Sequence, residues 1–237
     1  MRTLRLGLLA WLMACLTLTA RAENAWEPAQ QGQGREGIST WVRTVDGMAV
    51  KAFRGVTEVH YTTLAVLALL ADISNLPNWV YQCRSATQPA GFSADHTYAR
   101  FKGMWPASDR DVLMRSTVSQ LPDGSVMVDT HQVDGYPQQD DYVRIPYLHN
   151  TFRLVPLQGG WTRLEFETQV DLGGLVPAWI ANLVSTKAPI VTFEGMKQQL
   201  PNAKYQIKST DELPVYYLKG KPLVMPPGHM DSASSDQ

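Results

Sequence analysis

Apolar and polar side chains alternate in short runs from residue 40 to residue 170, as they do in β-strands with one buried face. In the last run Leu164, Phe166 and Val170 fall on one face, whereas Arg163 and Glu165 fall on the other. This alternation predicts an antiparallel sheet with one apolar and one solvated face. The predicted strands cover residues 40–45, 50–60, 80–87, 97–105, 111–120, 125–133, 142–148, 151–157 and 162–170.

Two segments have the three- and four-residue apolar spacing of helices instead. Residues 62–73, rich in Leu and Ala, predict a short helix. A longer helix is predicted from Pro177, which suits a first helical turn because that position needs no N–H, to Leu200. Pro189 should kink this helix rather than end it, because the apolar spacing resumes beyond it. The order of elements predicts an α+β fold in which a meander of strands curves around the last helix.

The first 22 residues have the pattern of a secretory signal peptide. A basic start precedes an apolar run at residues 6–18, which is too short to span a bilayer as a helix. The sequence Ala20-Arg21-Ala22 predicts cleavage after Ala22. A second interpretation is a lipoprotein anchored at Cys15, because residues 12–15 loosely resemble a bacterial lipobox. Both interpretations predict a periplasmic or secreted protein.

Composition divides the remaining chain into three parts. Residues 23–38 are polar and Gly-containing and predict a flexible lead-in, and residues 39–204 are long enough for one domain with a substantial core. Residues 205–237 are rich in Pro and end in a Ser-rich stretch, which predicts a partly disordered tail.

The charge and the reactive residues exclude several functions. The formal net charge is −1 at pH 7 and there are no basic runs, which argues against nucleic-acid binding. The five histidines have no metal-ligand spacing, so no metal site is predicted. Cys83 has no convincing partner for nucleophilic catalysis, and no Gly-x-Ser-x-Gly motif is present. We therefore predict no catalytic residues and no cofactor.

Four motifs follow one another along the chain. They are the helix end at 70–79 (Leu-Ala-Asp-Ile-x-x-Leu-Pro-x-Trp), the Pro-x-x-x-Arg-Asp loop at 106–111, the strand pair at 142–157, and the last strand with its helix entry at 162–177. In this order they resemble the START family, the lipid transfer domains related to the steroidogenic acute regulatory protein. The resemblance covers about residues 39–204, nearly the whole mature domain.

The resemblance implies a helix-grip fold, in which a curved sheet grips the C-terminal helix around an apolar tunnel that holds one lipid. Exposing a lipid chain to water costs about 0.8 kcal/mol per CH₂, so an enclosed apolar cavity favours binding. The resemblance and the strand alternation together give the expected ligand-binding residues. They are Phe101, Trp105, Val112, Met114, Arg144, Leu164, Phe166, Leu183, Thr186, Ile190 and Phe193.

The arginines raise two alternatives. Arg110 and Arg144 could each bind a lipid head group or form a structural ion pair; we favour the ion pair for Arg110 and leave Arg144 open. Some sterol-binding relatives carry an arginine six residues after the arginine of the Arg-Asp pair. That position is Ser116 here, and Arg115 falls on the opposite strand face. A charged clamp for a sterol hydroxyl is therefore not predicted.

The leading functional hypothesis is a monomeric periplasmic protein that binds or transfers a lipid or sterol-like molecule, contacts membranes transiently and catalyses nothing. The alternatives are an enzyme on the same scaffold, like the aromatase/cyclase relatives, and a lipid-sensing accessory of an envelope complex. We expect the gate in the loop 134–141, at Gly135, Tyr136 and Pro137. The corresponding family loop lies beside the C-terminal helix, which places Tyr136 near residues 186–193.

Overall fold

The computed structural model describes residues 25–214, 222–227 and 229. The predicted signal peptide, the alternative lipid anchor at Cys15 and the Ser-rich end of the tail lie outside the described residues.

The described chain contains ten strands, two α-helices and three short 3₁₀ helices. The α-helices are α1 (Thr63–Ala71) and α2 (Ala178–Gln199), and the 3₁₀ helices cover Ile73–Asn78, Ala203–Tyr205 and Thr210–Glu212. The strands are β1 (Glu27–Gln30), β2 (Ser39–Arg43), β3 (Ala52–Val59), β4 (Cys83–Thr87), β5 (His96–Phe101), β6 (Arg110–Gln120), β7 (Val126–Gln132), β8 (Val143–Arg144), β9 (Tyr147–Pro156) and β10 (Thr162–Asp171).

All ten described strands belong to one sheet, and nine of them follow the order β1-β2-β3-β10-β9-β7-β6-β5-β4. Every pairing is antiparallel except that of β8, which runs parallel to β6. The predicted α+β class, with an antiparallel sheet around a C-terminal helix, is confirmed. The meander order was wrong at two points. β3 pairs with β10, and the segment containing α1 carries the chain to β4 at the far edge of the sheet. β7 pairs directly with β9, because the intervening β8 pairs with β6 instead.

The boundary between the predicted strands 142–148 and 151–157 lies earlier in the chain than expected. Residues 149–150, which separate these two predicted strands, lie inside β9, where Asn150 pairs with Thr168 on one side and Thr130 on the other. The chain breaks instead between β8 and β9, at Ile145-Pro146. Pro146 has no N–H to donate to a neighbouring strand, which explains the position of the break.

Both ends of the predicted domain extend further than expected. The expected flexible lead-in contains β1, in which Glu27 pairs with Val42 of β2. All four side chains of β1 are exposed, so the sequence shows no alternation there. At the other end, Tyr205 and Leu213 belong to the main core, and the backbone N–H of Thr63 in α1 donates to His229 Nε2 at 2.9 Å. The described part of the tail therefore packs on the domain.

Helix α2 lies against the sheet through aromatic contacts. Phe193 is fully buried and meets Phe166 of β10 edge-on, with ring centroids 6.1 Å apart. Phe166 in turn stacks on Phe152 of β9 at 4.4 Å. Each large apolar side chain buried in this way contributes roughly 1.5–3 kcal/mol, so this cluster fixes α2 on the sheet.

Replacing Gly195 by Ala should destabilise the protein, because α2 lies directly against the backbone of Trp79 there. A Cβ at Gly195 would lie 2.6 Å from Trp79 Cα and 2.8 Å from its carbonyl oxygen. The clash should cost about 1–3 kcal/mol, of which the higher helix propensity of Ala returns roughly 1 kcal/mol, so the net loss of stability should reach about 2 kcal/mol. Urea unfolding measures it, with the exposed neighbour Glu194→Ala as the control. Equal stability of the two variants would contradict the close packing.

Candidate functional site

A cavity of about 140 Å³ lies between α2 and the concave side of the sheet. Its walls come from β5, β9, β10 and α2, together with residues 80–82 and the β5–β6 loop. Most of the lining is apolar, which suits a hydrophobic ligand.

A second cavity of about 100 Å³ adjoins the first. The predicted tunnel therefore corresponds to two neighbouring spaces with a common wall. This shared wall is formed by Val80, Phe101, Asn150, Phe166 and Thr192.

The face of α2 that lines the first cavity consists of Ile180, Val184, Ala188 and Thr192, spaced four residues apart. The predicted α2 residues Leu183, Thr186 and Ile190 do not line either of the two cavities, and the Thr186 hydroxyl donates to Asn182 O at 2.8 Å. The four-residue spacing was visible in the sequence. It was missed because Ala188 is small and Thr192 is polar, so both carry a weak hydrophobic signal.

The other predicted apolar residues divide into three groups. Phe101 and Phe166 line both cavities, and Met114 lines the second. Val112, Leu164 and Phe193 are buried in the core but line neither cavity. Trp105, in the β5–β6 loop, has 89% of its surface exposed and lies outside the lining.

Arg144 forms a structural ion pair. Its Nε and Nη2 donate to the two carboxylate oxygens of Asp111 at 2.8 and 3.0 Å, and Tyr98 Oη donates to the same carboxylate at 2.8 Å. Asp111 has no exposed surface. The hydrogen bonds that Arg144 donates to Asp111 raise the pKa of Arg144. The pKa of Tyr98 rises to about 12 because the phenol is buried and then because it lies beside Asp111. Arg144 does not line the cavities.

The same arginine holds the predicted gate loop in place. Arg144 donates to the carbonyl oxygens of Tyr136 and Pro137 at 3.1 and 3.0 Å. The Tyr136 ring stacks on Tyr98 at 4.0 Å, and Gly135 lies next to Phe92. The expectation that Tyr136 packs near residues 186–193 of α2 was therefore wrong.

Arg110 has the opposite environment. Only 5% of its surface is exposed, and its side chain lines the first cavity. None of the described carboxylates lies within ion-pair distance of Arg110. Its neighbours Asp109 and Asp111 pair with Arg84 and Arg144 instead. The structural ion pair that we favoured for Arg110 is absent from the described residues.

Polar atoms without a hydrogen-bond partner concentrate around the two cavities. Six buried side-chain N or O atoms of the described residues have no partner, and four of them belong to cavity-lining residues. A ligand or water inside the cavity can satisfy such groups. The four are Trp79 Nε1, Arg110 Nε, Asn150 Oδ1 and Thr168 Oγ1.

A histidine cluster lies on the other face of the sheet. Strand register pairs His131 of β7 with His149 of β9, and both Nε2 atoms lie near the carboxylate of Asp129, at 3.0 and 2.7 Å. These three side chains could hold a divalent transition metal. This cluster was not predicted from the sequence, because only the strand register brings the two histidines together.

These features define the class of protein: an α+β module whose curved sheet closes on a C-terminal helix around an apolar cavity. The chain belongs to the START family, since the START domain model matches residues 10–204. Within the described residues, no helix is long and apolar enough to cross a membrane.

Relatives agree with this assignment. An uncharacterized protein of Pseudomonas aeruginosa is 28% identical over 196 residues, which cover 82% of this chain and 95% of that protein. A STAR-related lipid transfer protein from Xanthomonas axonopodis has a crystal structure with a TM-score of 0.66 and 25% identity, covering 75% of this chain and 99% of that one. Human StAR-related lipid transfer protein 5 has the same fold, with a TM-score of 0.63, 15% identity and coverage of 84% and 98%.

Proposed function

We propose that this protein binds one hydrophobic molecule in the space between α2 and the sheet and transfers it between membranes of the cell envelope without catalysis. The apolar cavity carries the proposal, because a START fold supplies the scaffold and the cavity supplies a site of the required chemistry. The envelope location is supported by the signal-peptide pattern of residues 1–22, which lie outside the described part of the chain.

The size of the space favours a slender ligand. Cavities of about 140 and 100 Å³ are smaller than the roughly 300–1,000 Å³ of typical ligand pockets. A molecule with a single chain fits a space of this size best. A lipid with two chains requires α2 or a neighbouring loop to move outwards.

We propose that the β5–β6 loop is the gate and the membrane contact. Its residues Gly103, Met104 and Ala107 line the first cavity, whereas Trp105 projects into solvent. Arg110 joins this loop to the segment before α2 by donating to Ser108 O and Gly173 O. That segment and the first turn of α2 carry further exposed apolar side chains, including Leu175. Exposed Trp and Leu beside a cavity mouth suit insertion into a membrane interface.

The charged groups around the cavities do not favour the enzyme hypothesis. Arg110 and Lys102 line the first cavity, and a guanidinium stays protonated and cannot act as a general acid or base. Asp95 lines the second cavity. Burial would raise the pKa of Asp95, but Ser93 and Arg115 outweigh this effect and lower it below its usual range. A carboxylate fixed in its ionised form is a poor proton donor at neutral pH.

Native mass spectrometry of protein from a periplasmic extract should show a chain beginning at Glu23 with one bound hydrophobic molecule. The physical reason is that the apolar cavity and its unpartnered polar atoms are both stabilised by a ligand. Denaturation before the measurement is the control, and it should release the extra mass. A protein that is repeatedly free of ligand would contradict lipid binding, and its recovery from the cytoplasm alone would contradict export.

A further inference from the structure

Arg110 occupies an unusual position in the first cavity. It is the first residue of β6 and pairs with Phe101 of β5 and Val143 of β8, so its backbone is fixed by strands on two sides. Its side chain is buried, and it lines the cavity near the β5–β6 loop. A ligand bound at this end of the cavity would therefore contact the guanidinium of Arg110.

The hydrogen bonds of Arg110 leave its charge uncompensated. Nη1 donates to Ser108 O, Nη2 lies 3.5 Å from Gly173 O, and Nε has no acceptor. The adjacent carboxylates are engaged elsewhere. Asp109 accepts from Arg84 at 3.0 Å and from the backbone N–H of Gly103 at 2.8 Å, and Asp111 accepts from Arg144. Burial lowers the pKa of Arg110, and the more distant charge of Asp109 opposes this only partly.

The charged side chains that line the first cavity have one sign. They are Lys102 at the exposed rim and Arg110 inside, and no Asp or Glu belongs to the lining. A buried cation without a counter-ion is costly, and an anion from the ligand removes that cost. A planar guanidinium also matches the geometry of a carboxylate or phosphate.

We propose that Arg110 binds the anionic group, a carboxylate or phosphate, of an amphiphile whose single apolar chain extends along the first cavity. This inference rests on the proposed function and names the class of ligand. Ile180, Val184 and Ala188 of α2 then contact the chain. Because Arg110 also bonds to the β5–β6 loop and to Gly173, the anion binds where the two segments at the cavity mouth meet.

The test compares palmitate with hexadecanol, which has the same chain length and no charge, on ligand-stripped protein by calorimetric titration. The wild type should bind palmitate at least about tenfold more tightly, since a hydrogen bond to a charged group is stronger than a neutral one. Arg110→Met should abolish this preference and leave hexadecanol binding within about twofold. Arg110→Lys, which keeps the charge but not the planar donor set, should fall between the two.

Arg163→Gln is the matched control. Arg163 lies on the outer face of β10, does not line either cavity, and shares Glu58 with Arg35, which remains as a partner. This variant should keep the wild-type preference for palmitate. If Arg110→Met fails to fold, the comparison of palmitate with hexadecanol on the wild type and on Arg110→Lys still decides the question.

The outcomes separate this inference from the proposed function. Equal wild-type affinities for palmitate and hexadecanol, or an unchanged preference in Arg110→Met, would overturn the role of Arg110 while lipid binding stands. A wild type that binds neither probe also overturns this inference. The proposed function is then tested separately, by the native mass spectrometry of protein recovered from cells. Hexadecyl phosphate distinguishes the two anions: tighter binding than palmitate assigns a phosphate, and weaker binding assigns a carboxylate, provided that Arg110→Met weakens the preferred one.

Discussion

Replacing Asp111 by Ala should lower the free energy of unfolding by about 3–5 kcal/mol. The change removes a carboxylate that has no exposed surface and accepts two hydrogen bonds from Arg144. The half-buried guanidinium and the phenol of Tyr98 would lose their shared partner, and the loop 134–141 would lose its link to β6 through Arg144. A loss of this size is a large fraction of the roughly 5–15 kcal/mol that stabilises a typical domain.

Urea or thermal unfolding measures this loss. Glu27→Ala is the control, because its ion pair with Lys51 is 3.3 Å long and largely exposed and should contribute no more than about 1 kcal/mol. The double variant Asp111→Ala with Arg144→Met should recover part of the stability, since it no longer leaves a charge unpaired. An Asp111→Ala protein as stable as Glu27→Ala would show that the buried pair does not fix the loop.

Replacing Ala188 by Phe should reduce ligand occupancy by at least about tenfold. Ala188 lies on the cavity-lining face of α2, and an added ring would project into a space of only about 140 Å³. The ligand chain would lose contact with this part of the wall. The binding free energy lost should be similar to that of burying one large apolar side chain, roughly 1.5–3 kcal/mol. Native mass spectrometry of the purified variant reports the occupancy.

Val191→Phe adds a similar ring to the solvent side of the same helix, where the native side chain is 39% exposed. This control should retain wild-type occupancy. Unfolding measurements on both variants check that the helix still packs, since overfilling a core costs about 1–3 kcal/mol. Equal occupancy of the two variants would mean that the ligand does not bind against Ala188.

The cavity wall was partly predictable from the sequence. Strand alternation placed Phe101, Met114 and Phe166 on the concave face, where the structure finds them lining the cavities. Alternation reports only which face a side chain occupies. It could not show that Val112 and Leu164, on buried faces as well, pack against the core instead of lining the space.

The fastening of the predicted gate loop could not be read from the sequence for a related reason. The loop 134–141 is long and polar, and such a loop can move only if nothing fastens it. Its two carbonyl contacts with Arg144 depend on an ion pair to Asp111, 33 residues earlier in the chain. No local pattern in the loop predicts a partner at that distance.

The sequence by itself determined the α+β class, the long C-terminal helix and the START resemblance, because these follow from local periodicity and from motifs in a fixed order. Tertiary structure alone decided which charges find partners. Asp109, Arg110 and Asp111 are consecutive, yet their side chains face Arg84, the cavity and Arg144 respectively. The physical reason is that strand register and loop packing choose among the available counter-ions, and they leave Arg110 as the buried cation in the cavity without a described carboxylate partner.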